Sequence, residues 1–461
     1  MAEGSGAPRV VVVGAGITGL AAARILDQAG LEVVVLEAAR RAGGKIRTLD
    51  IDGAAVDAGP DWFLTTNPAA LNLCRELRLT DDLVRPATTG AHIWRGGRLV
   101  PFPSGFVRGV PASPGALLKC RSLTPAARVR GLADLVLPGP LSGPDVSVEE
   151  LVRRRFGSQV LERIADPMLA ASRSGRTDEL GLAAAAPEID AAARSSRSVM
   201  RGLTGMQGPP GTHPFVGLSG GMERLVERLT ASLKHTNIRC GEPVRAIRSF
   251  NGRYDVATEN ETVAADAVVV ALPAHAARHV LAPIDNSLAE ALARIRYSST
   301  AVVSFLYPAG SVPAPPGASG WLVPSSEEGL LTACAWYSRK WAHARPKGGG
   351  AVMRCFAGRS EDDPALTLDD SELCTRLAAE IARVTGTPQK PIDARVTRWD
   401  QALPLYSVGH FDVVTDIEAA AARHAGLELA GAGYRGSGLP DCITQGEAAA
   451  RRALAAVERA H

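Results

Sequence analysis

The run Arg9-Val10-Val11-Val12-Val13-Gly14-Ala15-Gly16-Ile17-Thr18-Gly19-Leu20-Ala21-Ala22-Ala23 limits the fold more than any other part of the chain. Four consecutive valines suit a strand buried on both faces, and the alanine-rich run after Gly19 suits a helix. Joined by so short a turn, they read as the first half of a parallel βαβ unit. Gly14 permits the tight turn, Gly16 lets backbone N–H groups approach a pyrophosphate, and Gly19 lets the helix pack close against the strand, with Ala15, Ile17 and Thr18 in the same turn. A second apolar run, Glu32-Val33-Val34-Val35-Leu36, ends in Glu37. It stands roughly twenty residues beyond the glycines, where an acid can bind a ribose 2′-hydroxyl. An acid there disfavours NADP, whose extra phosphate it would repel. The alternative is an ordinary βαβ unit whose glycines merely turn the chain.

Glu37 is followed by Ala38-Ala39-Arg40-Arg41-Ala42-Gly43-Gly44-Lys45. Cations around a Gly-Gly turn suit a second approach to the cofactor's phosphates, although a solvated basic turn has the same composition. The segment resembles the flavin oxidase superfamily of amine oxidases, phytoene desaturases and porphyrinogen oxidases, in which an acid followed by a basic Gly-Gly turn belongs to the FAD site.

A chain of 461 residues is too long for one mononucleotide unit and points to two or three lobes. Its net charge of +3 comes from 51 basic and 48 acidic residues without a basic block, which argues against a nucleic-acid surface. The 7 cysteines are scattered and never in CxxC spacing, as expected of a reducing compartment without structural zinc. Residues 1–8 lack the basic and apolar regions of a signal peptide, and no run approaches the ~18 apolar residues of a membrane span. The expectation is a cytoplasmic protein, monomer or homodimer, with peripheral membrane contact left open.

Further along, residues 52–64 read as a strand ending in a Gly-Pro break, Asn67 to Leu79 as a helix, and about 95 to 145 as too broken for regular structure. A helical section begins at Ser147, three residues before Glu150 in capping-box spacing, with Gly157 as a stop. Strands return at Ile238 to Ile247, Tyr254 to Thr258 and Ala267 to Pro273, then at Val302 to Leu306 and Val352 to Phe356. A helix between Asp369 and Thr385 follows, and a final one from Gln445.

The segment Gly431-Ala432-Gly433-Tyr434-Arg435-Gly436-Ser437-Gly438-Leu439-Pro440-Asp441-Cys442-Ile443 resembles the closing FAD motif of the protoporphyrinogen and coproporphyrinogen oxidase family. Trp399-Asp400-Gln401-Ala402-Leu403-Pro404-Leu405-Tyr406-Ser407-Val408-Gly409-His410 matches the pattern before that family's last strand, and Gly59-Pro60-Asp61, Phe156-Gly157 and Asp166-Pro167 match as well. The resemblance implies that Gly14, Gly16 and Gly19 hold the FAD pyrophosphate and Glu37 the adenosine ribose. Arg41, Gly43, Gly44 and Lys45 would complete that region, and Val244 would pair its backbone with the adenine. Gly59-Pro60 and Leu439-Pro440 would flank the isoalloxazine, with Trp399 near the ring and Gly431-Ala432 near the ribityl chain. Trp399 reads equally as a core aromatic.

The family removes six electrons from a porphyrinogen through FAD, with dioxygen as acceptor. That chemistry asks little of side chains, so no catalytic residue and no metal ligand is assigned. One departure concerns the substrate side. After Asp166-Pro167-Met168-Leu169 the family continues with a glycine, an aliphatic and an aromatic residue and then Ala-Gly-Asp, whereas this chain has Ala170-Ala171-Ser172-Arg173-Ser174-Gly175-Arg176. Arg173 and Arg176, with Arg108, are candidate partners for substrate carboxylates, favouring coproporphyrinogen III, although Arg173 and Arg176 read equally as surface arginines and would alternatively block a porphyrinogen. The same change fits a relative acting on another substrate, such as a natural-product intermediate, or a non-catalytic FAD-binding protein. The expected fold is α/β: a Rossmann-like FAD-binding lobe from residues 1–90, 215–295 and 395–461, a helical lobe over 95–210, and a mixed-sheet substrate lobe over 296–394.

Overall fold

The computed structural model describes residues 8–173, 175–205, 215–250, 252–358 and 363–460; the side chains of residues 170–173 are outside the description. β1 (Arg9–Val13) runs into α1 (Ile17–Gln28) and then β2 (Glu32–Glu37), paired in parallel with Val10 opposite Val33 and Val13 opposite Leu36. A central five-stranded parallel sheet has the order Thr236–Cys240, β2, β1, Ala267–Val270, Leu427–Leu429. Its strands thus come from three well-separated stretches of the chain. Both faces are covered, so the valines of β1 bury on either side: Val10 and Val12 toward α1 and the helix Leu439–Ala460, Val11 and Val13 toward the helices Ala274–Leu281 and Asn286–Ala293. This is the doubly wound arrangement, whose ligands bind beyond the carboxyl ends of the strands.

A seven-stranded sheet of mixed direction forms a second layer. Its order is Asp393–Pro404, Tyr297–Tyr307, Ala351–Ala357, Leu331–Trp336, Ala318–Leu322, Gly90–Arg95, Arg98–Pro101. It draws on residues either side of the 296–394 span. The hairpin Gly90–Pro101 lies in a stretch expected to begin breaking near 95, and Asp393–Pro404 lies largely in one assigned to the FAD lobe. The stretch 95–145 is also more regular than its proline and glycine content suggests. Pro114–Lys119 and Pro125–Gly131 are helices with proline in the first turn, where its missing N–H costs nothing, and are capped by Ser113 and Thr124.

The helical layer includes Val148–Phe156, where the Ser147 hydroxyl accepts from Glu150 N at 3.0 Å and Gly157, at φ +89°, ends the helix. The last helix begins at Leu439 rather than Gln445, because Pro440 falls in its first turn and does not interrupt it. No helix among the described residues is long and apolar enough to cross a membrane.

Candidate functional site

At the carboxyl end of β1 the chain turns at Gly14 (φ +102°), and Gly16 is the N-cap of α1. No side chain caps this end and its first turn holds no acid, so the free N–H groups and the positive end of the helix dipole are available to an anion. The glycines divide the work as their spacing suggests. A Cβ at Gly14 would lie 2.8 Å from Ala271 O and one at Gly19 1.9 Å from Gly14 O, whereas one at Gly16 meets no protein atom within 4 Å. The Gly43-Gly44 turn packs on this loop: Gly43 N donates to Ala15 O at 2.7 Å, and Gly16 and Gly43 form a parallel bridge.

The two cations of that turn brace it. Arg41 donates to the carbonyls of Ala42, Gly44 and Ile46 at 3.0, 2.7 and 2.9 Å and lies 3.6 Å from Glu223. Lys45 donates to Ala402 O, and burial pushes its ammonium below the ordinary value. Glu37 accepts from Ala15 N at 2.7 Å and Ala39 N at 2.8 Å, which fixes the carboxylate against the turn at Gly14–Gly16. Gly241 N and Glu242 N donate to Ala39 O and Glu37 O, bringing the 241–245 connection, with Val244, beside Glu37; Ala38 is exposed.

The Ala58-Gly59-Pro60 segment is held from the seven-stranded sheet. Trp399 Nε1 donates to Ala58 O at 2.8 Å, Arg354 donates to Gly59 O, and a Cβ at Gly59 would lie 1.8 Å from Lys45 O. Next to it is a buried charge network. Asp61, 9% exposed, accepts from Lys340 Nζ at 2.7 Å and Trp341 Nε1 at 2.8 Å and pairs with Arg354, 2% exposed, at 3.1 Å. Burial raises the Asp61 carboxyl, but Lys340 and Arg354 outweigh it and hold the group well below the usual carboxylate range. Asp57 accepts from Thr48 Oγ1, Met222 N and Tyr337 OH at 2.7, 2.8 and 3.1 Å, and burial pushes its carboxyl up to about 6.

The C-terminal segment closes the same region. Tyr406 OH donates to Ala432 O at 2.6 Å, His410 stacks on Tyr406 with ring centres 4.3 Å apart, and His410 Nε2 bonds Tyr434 O at 2.8 Å. Gly431 is at φ +140°, and Leu439 and Pro440 are buried at the head of the last helix. Beyond the Ala267–Val270 strand, His275 packs edge-on against Tyr297, and His275 Nδ1 is buried without a hydrogen-bond partner. Unmet helix N–H groups, a fixed carboxylate beside them and this orphaned imidazole nitrogen at the carboxyl end of the sheet fit a dinucleotide.

The substrate arginines fare differently. Arg108 makes two bonds to the Glu188 carboxylate, at 2.7 and 2.9 Å, and Arg176 two to Asp178, at 3.1 and 3.0 Å. Both guanidiniums have internal counter-charges; Arg173 lies in the helix Asp166–Arg173, with its side chain outside the described residues. Asp57, Asp61, His275, Lys340 and Arg354 were missed from sequence. Only the Gly-Pro-Asp match pointed toward any of them.

Fold and site together define a flavoprotein oxidoreductase. Residues 17–454 match the family of flavin containing amine oxidoreductases, and the chain belongs to it as an FAD-dependent oxidoreductase of the porphyrinogen oxidase family. Coproporphyrinogen III oxidase of Bacillus subtilis (strain 168) is 31% identical over 466 residues, covering 97% of this chain and 98% of that one. The Mycobacterium tuberculosis protein of the same name is 34% identical over 453 residues, 97% and 96% of the two chains, and protoporphyrinogen oxidase of Bos taurus 29% over 479, 96% and 98%. A crystal structure from Exiguobacterium sp. 255-15, provisionally named a protoporphyrinogen oxidase, superposes with a TM-score of 0.88 at 30% identity over 99% of this chain and 100% of that one.

Proposed function

We propose that this protein oxidises a porphyrinogen to the porphyrin, with coproporphyrinogen III preferred to protoporphyrinogen IX and dioxygen as the final acceptor, in the cytoplasm as a step of haem biosynthesis. The observation that carries this reading is the end-to-end similarity to coproporphyrinogen III oxidases, which covers 97% of this chain. FAD, when bound, supplies the acceptor for electron pairs. The six electrons leave the substrate with an equal number of protons, and dioxygen carries them away as hydrogen peroxide.

The chain's own contribution is binding, orientation and exclusion of water. The α1 N-terminus and Glu37 hold the dinucleotide end, while Trp399 and Arg354 fix the Ala58 and Gly59 carbonyls that flank the ring. Arg354 and Lys340 are both engaged by Asp61, so we assign neither to proton transfer. The site lies where the FAD, helical and mixed-sheet lobes meet.

The test is purification with FAD identified from the visible spectrum, followed by porphyrin fluorescence in air with each porphyrinogen, against flavin-free and enzyme-free controls. Flavin-dependent turnover, faster with coproporphyrinogen III, is expected. Bound FAD with no rate above autoxidation refutes the reading and directs attention to other substrates.

A further inference from the structure

The two faces of the seven-stranded sheet are used differently. On one, Trp94, Trp321, Cys334, Trp336 and Cys355 are buried under the helix Asp370–Thr385 through Leu373, Leu377 and Ile381. The strand register puts Arg354, Ala335, Gly320 and Ala91 in one row of the opposite face, and Phe356, Ala333, Leu322 and Ile93 in the next. Phe356, Ala333, Ala335 and Leu322 are only half-buried there. This largely apolar face begins at the Ala58-Gly59 segment gripped by Trp399 and Arg354.

Arg95 continues the same face at its far end, two residues beyond Ile93. It stands three strands from Arg354, about 14 Å across, and four residues past Ala91, about 13 Å along. Here it meets Arg163 from the helical layer. Arg95 NH1 and Arg163 NH1 donate to one and the same oxygen, Ser122 O, at 3.0 and 3.1 Å.

Like charges held across a single oxygen repel, and burial together with the Arg95 charge pushes the Arg163 guanidinium below its ordinary value. Among the described residues no carboxylate makes an ion pair or hydrogen bond with either, although the charge of neighbouring Glu162 partly offsets the shift at Arg163. Glu162 lies 3.6 Å from Arg153, and Glu327 accepts from Gly96 N at 3.0 Å. Each guanidinium carries five N–H donors and directs one to Ser122, so donors remain for a further acceptor. Arg108 and Arg176, by contrast, have their carboxylates within the chain.

We infer that Arg95 and Arg163 form a paired-guanidinium receptor for a peripheral carboxylate of the substrate, at the end of the sheet face remote from the flavin segment. The inference rests on the porphyrinogen reading and deepens it. A carboxylate there accepts charge-assisted bonds from both guanidiniums and removes their repulsion. It also gives the tetracarboxylate coproporphyrinogen more ways to engage the site than the dicarboxylate protoporphyrinogen.

The test uses FAD-loaded wild type, Arg95→Gln, Arg163→Gln and the double variant R95K/R163K. Coproporphyrin III and its tetramethyl ester are titrated by fluorescence, and KM and kcat are measured with coproporphyrinogen III; melting temperature and FAD content check folding. Each Gln variant weakens coproporphyrin III binding roughly tenfold or more and raises KM with kcat retained, as expected for loss of a bond between charged groups. Ester binding stays unchanged. The Lys variant, which keeps a donor for Ser122 O, binds at intermediate strength and carries the test if a Gln variant melts early. Wild-type affinity in the Gln variants, or in the Lys variant if a Gln variant does not fold, overturns the receptor and leaves the substrate reading standing. Failure of the wild type to bind coproporphyrin III at all overturns the substrate reading, and the receptor with it.

Discussion

Alanine at Gly16 and alanine at Gly19 separate what the cofactor requires from what the fold requires. Gly16 has φ −69° and ψ 174°, a conformation open to any residue, and its Cβ would meet no protein atom within 4 Å. In Gly16→Ala the loss of unfolded-chain entropy and the poorer N-cap oppose each other, so the apoprotein should keep its stability to within about 1 kcal/mol. The methyl group nevertheless stands where a pyrophosphate must approach the free N–H groups. Loss of one charge-assisted bond costs about 1.5–3 kcal/mol, roughly ten- to a hundredfold in the FAD dissociation constant. Gly19→Ala does the reverse. Its Cβ would lie 1.9 Å from Gly14 O and 3.2 Å from Val12 Cγ1, so α1 must move off the strand. Overpacking of this kind costs about 1–3 kcal/mol even without FAD. Urea unfolding of the apoproteins and fluorescence titration with FAD read the two effects independently. Wild-type FAD affinity in Gly16→Ala, or wild-type apoprotein stability in Gly19→Ala, refutes this division of roles.

Other expectations concern residues 57–61 and the side chains that hold them. Asp61→Asn leaves Arg354 and Lys340 without their carboxylate, and removing one partner from a buried pair costs about 3–5 kcal/mol; an unchanged urea midpoint would show that the network contributes nothing. Asp57 in the folded protein titrates at about 6, above the ordinary 3.8, so the folded state keeps a proton that the unfolded chain releases. Stability therefore falls as pH rises from about 4 to about 6. Asp57→Asn should flatten urea midpoints over that window, and identical pH slopes in the two proteins contradict the assignment. Trp399→Phe keeps a ring but removes the donor to Ala58 O, which should lower stability by about 0.5–1.5 kcal/mol and shift the bound flavin's visible spectrum. An unaltered spectrum places Trp399 away from the ring.

The β1–α1–β2 unit was legible because all its signals are local: consecutive valines, glycines at fixed spacing and an acid at the next strand's end. The same holds for Val148–Phe156, bracketed by Ser147 and Gly157, and for Asp370–Thr385, capped by Asp369. The strand Asp393–Pro404 was missed because its pairing with Tyr297–Tyr307 carries a bulge and its burial does not alternate cleanly. The charge network beside Gly59 could not be read from spacing, because Lys340 reaches Asp61 across 279 residues and Arg354 reaches Gly59 across 295. The surroundings of the candidate substrate arginines were illegible for a related reason: in an arginine-rich chain sequence does not show which guanidiniums have internal carboxylates. Arg108 and Arg176 do, whereas Arg95 and Arg163 meet at a neutral carbonyl.

Whether bound FAD takes electrons directly from a porphyrinogen is decided by mixing the holoenzyme anaerobically with coproporphyrinogen III and following the flavin absorbance. The flavin should bleach at a rate sufficient for turnover, with recovery on admitting air and hydrogen peroxide released in proportion to porphyrin formed. A flavin that stays oxidised while wild-type protein and substrate are together contradicts direct transfer.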